Sequence, residues 1–153
     1  MLQSQQRNLR LPRLAFVTRV LFAFFLLSTG IMTMGFGING YPISDPPDEL
    51  DQFMLALENT GYLIFWVGFL KTIAGALMFH PRTAPLAILM ALPYAFNILL
   101  YVIFFAHKYL VIGLPDFAAC ALLIYCYFDW YRPIFAGPTA LSIQKSSGGE
   151  HAL

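Results

Sequence analysis

Four ionisable residues stand inside stretches that are otherwise apolar: Arg19, Lys71, Asp116 and Asp129. A charge at the centre of a bilayer costs about 2.5–3.5 kcal/mol on insertion scales, so such residues face a protein interior and find partners there. Lys71 follows Gly68 by three residues and precedes Gly75 by four, which puts it on the small-residue face of its segment. Asn97 is the partner that depth selects. Each of the two stands about 14 Å from the outer end of its apolar stretch, at 1.5 Å per residue. Pro93 and Tyr101 lie four residues to either side of Asn97, on its face of the helix. Lys71, Asn97 and Tyr101 are therefore expected to line one polar pocket, closed by Trp66 and Tyr94. Such a pocket would take a small polar head group, such as a quinone ring, or carry protons. The same side chains would also serve as interhelical hydrogen bonds, each worth about 0.6 kcal/mol, and that structural role is the default.

The other charges have plainer expectations. Arg19 lies about two turns inside the first stretch, where it snorkels to the surface or pairs with Asp129. Asp116 enters the fourth stretch close enough to its outer end to remain hydrated. His80 and His107 fall at opposite ends of the bundle, too far apart to ligate one haem iron. Cys120 and Cys126 are six residues apart on one helix, point to different sides and cannot bridge. They read as small packing residues, without metal spacing. No nucleophile–His–carboxylate set, phosphate loop, paired carboxylate or nucleic-acid motif is legible, so no catalytic residue or metal ligand is assigned.

The elements that position these residues are apolar runs of spanning length. They cover 14–38, 61–79, 84–106 and 112–131. About 20 apolar residues cross the hydrocarbon of a bilayer, and only helices or closed barrels satisfy their backbone there. Continuous runs exclude the alternation of barrel strands. Apolar residues make up 59% of the chain and charged residues 11%, against about 25% charged in a soluble domain. The expectation is an all-α, integral membrane, antiparallel four-helix bundle over 14–132, between tails at 1–13 and 133–153. Gly61, Gly68 and Gly75 repeat every seven residues and should form a packing seam, as should Ala84, Ala87, Ala91 and Ala95, and Thr29, Thr33 and Gly37.

The connection 39–60 holds Asp45, Asp48, Glu49, Asp51 and Glu58 and neither Lys nor Arg. Arg7, Arg10, Arg13, Arg82, Arg132 and Lys145 lie on the other side. Lys/Arg bias marks the cytoplasmic face, so both termini are expected there and the acidic loop outside. Tyr41, Tyr62, Trp66 and Tyr109 form an outer aromatic belt, and Tyr127, Trp130 and Tyr131 an inner one. Within the loop, Asp45-Pro46-Pro47 reads as the start of an outer amphipathic helix over 46–59, capped by Asp45. Leu50, Phe53, Met54 and Leu57 would form its apolar face, opposite Asp51, Gln52 and Glu58, with the helix lying on the outer membrane surface or folding over the bundle mouth. The first stretch has a basic front but an apolar body of about 25 residues, too long for a cleaved signal, and is read as an uncleaved anchor. The short basic front lacks a presequence character and favours a bacterial inner membrane.

The segment from Gly61-Tyr62 to Phe135 resembles the DoxX and DoxX-like family of small four-span membrane proteins. The likeness is carried by Gly61-Tyr62, Ile73-Ala74-Gly75-Ala76-Leu77, Pro85-Leu86-Ala87, Pro93 with Asn97-Ile98-Leu99, and Tyr131-Arg132-Pro133-Ile134-Phe135. Arg19 and Ser28-Thr29-Gly30 match more loosely. The chain departs from the family in the second span, where Gly68 and Lys71 stand in place of a Lys followed by a Glu. The resemblance implies a non-catalytic membrane subunit embedded in lipid beside other membrane proteins. Some relatives belong to quinone-reducing sulfur enzymes or partner redox proteins, which makes quinone the cofactor to test. A quinone-linked oxidoreductase subunit, with the head group at Lys71, Asn97, Tyr101 and Trp66, is the alternative. Cysteine labelling decides the orientation: a probe at Ser44 should react from outside and one at Ser146 only from the cytoplasm. Labelling of Ser146 from outside would reverse the topology.

Overall fold

The computed structural model describes residues 10–135; Arg7, Lys145, Ser146 and most of both tails lie outside them. Among the described residues the secondary structure is entirely helical. Helix α1 spans Pro12–Asn39, α2 Glu49–Glu58, α3 Leu63–Phe79, α4 Ala84–Phe104, α5 Leu110–Cys126 and α6 Phe128–Phe135, with a 3-10 turn at His107–Tyr109 before α5. Among the described residues three segments are long and apolar enough to cross a membrane, Pro12–Asn39, Ala84–Phe104 and His107–Cys126, with mean hydropathies of 2.0, 2.2 and 1.9, and α2 with α3 makes a fourth if that bent pair counts as one span. Helix α3 has 17 residues, about 25 Å of rise, and meets α2 at a 99° bend.

The long helices α1, α3, α4 and α5 pack side by side. Helix α1 lies chiefly on α3, α3 on α4, α4 on α5, and α5 returns to α1. Short connections such as 80–83 and 105–109 make sequence neighbours run antiparallel. Their shared core is built from small and medium side chains, among them Ala23, Leu26, Ala74, Met78, Ala87, Ile88, Ala91 and Leu123. The alanine face expected of the third stretch is thus the core face of α4.

Glycines bring α1 and α3 into backbone contact. A Cβ at Gly75 would stand 2.8 Å from the backbone nitrogen of Leu27, and one at Gly68 would stand 2.8 Å from the carbonyl of Gly30 and strike Met34. From the other side, a Cβ at Gly30 would come within 2.7 Å of the Thr72 nitrogen, and one at Gly37 within 2.7 Å of the Phe65 nitrogen. Gly61 is not part of this seam. It has φ 76° in the turn before α3, and a Cβ there would meet nothing within 4 Å. The seven-residue repeat fails at its first member because the helix does not begin until Leu63.

Two boundaries differ from the expected ones for local reasons. The outer helix starts at Glu49, not 46, and its cap is Asp48, not Asp45. Pro47 pushes Pro46 out of helical geometry and offers no N–H to a cap. Asp48 and Asp51 instead form a reciprocal capping box, each carboxylate accepting from the other's backbone N–H at 2.9 Å. The fourth apolar stretch is broken at Tyr127, between α5 and α6. That residue leaves helical geometry at φ −97°, ψ 12° with its ring buried in the core.

The seam yields a direct expectation. Gly68→Ala and Gly75→Ala should each lose about 1–3 kcal/mol through overpacking against backbone. Gly35→Ala, where a Cβ meets nothing within 4 Å, should be neutral or stabilising by up to about 1 kcal/mol. Unfolding of the three variants in mixed micelles checks the contrast.

Candidate functional site

The α3 helix turns Lys71 inward with Gly68 and Gly75, as its spacing requires, and the residue is 6% exposed. Its ammonium donates to the Tyr94 hydroxyl of α4 at 2.7 Å and lies 4.2 Å from the centroid of that ring. The Phe25 ring of α1 stands 5.9 Å away on another side. Asp116 of α5 points into the same interior and is 5% exposed. Asp116 makes no ion pair with Lys71 within 4 Å, and its Oδ1 atom is buried without a hydrogen-bond partner among the described residues. Lys71, Tyr94 and Asp116 thus form a charged and polar cluster contributed by three helices. Tyr94 accepts from Lys71 and keeps its own proton to donate.

Asp116 is therefore not hydrated at the surface. Gly113, Asp116, Cys120 and Leu123, spaced by three and four, make up the buried face of α5. That spacing was the signal for its burial. Asn97 does not join the cluster. It follows the core residue Ala95 by two positions, about 200° round the helix, and is exposed. Equal depth put Asn97 beside Lys71 on paper; helical phase puts it on the opposite side of α4. Trp66 is also outside the cluster, half-exposed on α3 with its ring edge-on to Phe65 and Phe69.

Asn97 and Tyr101 come together elsewhere, in an open groove of about 510 Å³ between α2 and the end of α4. The Tyr101 hydroxyl donates to the Glu49 carbonyl at 2.6 Å, and its ring stacks on Phe53 with centroids 4.3 Å apart. The outer helix thus folds over the bundle mouth at α4. A second tether holds it to the α4–α5 connection. Lys108 Nζ and the Tyr109 hydroxyl each donate to Asp48 Oδ2 at 2.8 Å. Asp51 was expected on the solvent face but is 4% exposed, taking bonds from the Ser44 hydroxyl and backbone N–H and from the Asp48 N–H. The hydrogen bond from Lys108 holds the Asp48 carboxyl well below the usual carboxylate range, and the bond from the Ser44 side chain lowers that of Asp51.

At the other end of the bundle, Arg19 neither snorkels nor pairs with Asp129. It is 6% exposed, donates to the Tyr127 hydroxyl at 3.2 Å, and packs 5.6 Å from the Phe16 ring. Asp129 instead faces Arg10 at 3.8 Å, whose guanidinium also covers the Tyr125 and Phe128 rings. Both Cys120 and Cys126 are buried free thiols. No group of three or more metal-ligating side chains occurs among the described residues. Compared with known protein families, with curated proteins and with solved structures, the chain matches none.

The tethers of α2 predict a pH dependence of definite sign. Both carboxyls are lowered in the folded state, so the stability they contribute is present above the ordinary carboxylate value near ~4 and lost as pH falls below it. The thermal midpoint in detergent should hold between about pH 8 and 5 and drop on further acidification. Asp48→Asn should flatten that drop; a wild-type midpoint unchanged below pH 4 would contradict the tether.

Proposed function

We propose that this chain is a bacterial inner-membrane protein of the DoxX-like kind. Its four spans cross in antiparallel order with both termini cytoplasmic, and it serves as a non-catalytic subunit of a larger complex that handles electrons or quinone. The observation that carries the subunit role is the outward apolar face of α1. Val17, Leu21, Phe24, Ile31 and Ile38 are all more than half exposed, and Ser28 and Gly35 complete their alternating four- and three-residue spacing. Helices associate in lipid through such stripes, where small residues let backbones approach. The α1–α3 contact uses small residues in this way inside the chain. The outward stripe offers the same geometry to a helix of another subunit.

The antiparallel order, though not the side on which the termini lie, is supported by the joining of two ends: the Arg10 N–H donates to the Cys126 carbonyl at 3.3 Å. The acidic loop and the α4–α5 connection meet through Asp48 on the other side. The redox and quinone assignment rests on the family resemblance.

Purification in mild detergent tests the reading. Wild-type protein should co-migrate with larger membrane partners, identified by mass spectrometry. Gly35→Leu should abolish that co-migration without lowering the unfolding midpoint, because a Cβ at Gly35 meets no described residue within 4 Å. An isolated chain that reduces quinone with a sulfur donor would favour the catalytic alternative instead.

A further inference from the structure

The groove between α2 and α4 has a composition that the subunit role does not use. One wall is lined by Glu49 and Gln52, at exposed positions of α2. The opposite wall carries the exposed Asn97 amide. Its aromatic side is a stack of three rings: Phe53 on Tyr101 at 4.3 Å and Tyr101 on Phe105 at 5.9 Å. The groove continues onto Leu100 and Phe104 of α4, whose side chains are exposed and apolar. On the membrane reading above, on which this inference rests, α4 ends here at the outer interface.

We infer that the groove is a binding site for an amine-headed zwitterionic phospholipid of the outer leaflet. Charge and geometry select that chemistry. Glu49 is the charged residue of the lining, and a carboxylate beside aromatic π-systems suits an ammonium group. A phosphodiester one ethylene unit away accepts hydrogen bonds from the amide N–H groups of Gln52 and Asn97. The acyl chains then lie along Leu100 and Phe104, toward the hydrocarbon. An anionic head group without an amine meets the Glu49 carboxylate with a like charge and is disfavoured. Tyr101 holds the site together, since its hydroxyl fixes the first turn of α2 through the Glu49 carbonyl.

Native mass spectrometry of the detergent-purified chain tests the proposal, with dioleoyl phosphatidylethanolamine and dioleoyl phosphatidylglycerol added at equal ratio. The ethanolamine lipid should be retained about fivefold over the glycerol lipid, the factor expected of one cation–π and carboxylate contact at a partly exposed site. Glu49→Gln should erase the preference with the unfolding midpoint unchanged. Phe105→Ala, distant from the α2 cap, should reduce retention about threefold. Equal retention of the two lipids, or a preference that survives Glu49→Gln, overturns the proposal and leaves the membrane reading intact. A chain that stays soluble and monodisperse without detergent overturns both.

Discussion

Burying Lys71 and Asp116 in an apolar helical core is the constraint on which the rest of the arrangement depends. Neither side chain can leave its helix face without reaching either lipid or another helix, and an isolated charge in either place is expensive. Three helices are brought together to answer that cost. Helix α3 supplies the ammonium, α4 the Tyr94 hydroxyl that receives it, and α5 the carboxylate. Helix α1 closes the remaining side with the Phe25 ring. The 2.7 Å bond from Lys71 to Tyr94 ties the axial register of α3 to that of α4, which featureless apolar faces would leave free to slide.

The α1–α3 contact works by the opposite means. There the helices touch backbone to backbone, with Gly30 and Gly37 meeting residues of α3, and Gly68 and Gly75 meeting residues of α1. Dispersion between closely packed backbones replaces the hydrophobic drive that lipid cannot supply. Committing one face of α1 to α3 leaves its other face outward, and this is the face proposed to dock another subunit. At the outer end, the capping box of α2 and the bonds from Lys108, Tyr109 and Tyr101 tie the acidic loop to α4 and the turn after it. The groove beside Asn97 exists because that helix lies over α4 rather than away from it.

Run length made the helices legible in the sequence, since continuous apolar stretches of about 20 residues have few alternatives. The inward direction of Lys71 was legible too, because Gly68 and Gly75 mark its face. What the sequence hid was azimuth between helices. Lys71 and Asn97 have matching depths, yet depth says nothing about which side of α4 a residue occupies; Ala91 and Ala95 held that information and set Asn97 outward. Asp116 was misplaced by its nearness to the helix end, although its four-residue spacing to Cys120 put it on a buried face. The cap moved from Asp45 to Asp48 because two prolines bar the earlier start. Gly61 fitted the seven-residue repeat but belongs to a turn, which a repeat alone does not reveal.

A double-mutant cycle on the buried cluster probes the central constraint most directly, with Lys71→Met, Asp116→Leu and the double variant unfolded reversibly in mixed micelles. Each single change leaves one buried ionisable group without its counterpart, whereas the double change replaces both with apolar side chains. The two losses should therefore fail to add, with a coupling of about 1–3 kcal/mol and a double variant more stable than the weaker single. Strictly additive losses, or single variants as stable as the wild type, would contradict the claim that Lys71 and Asp116 answer one another inside the bundle.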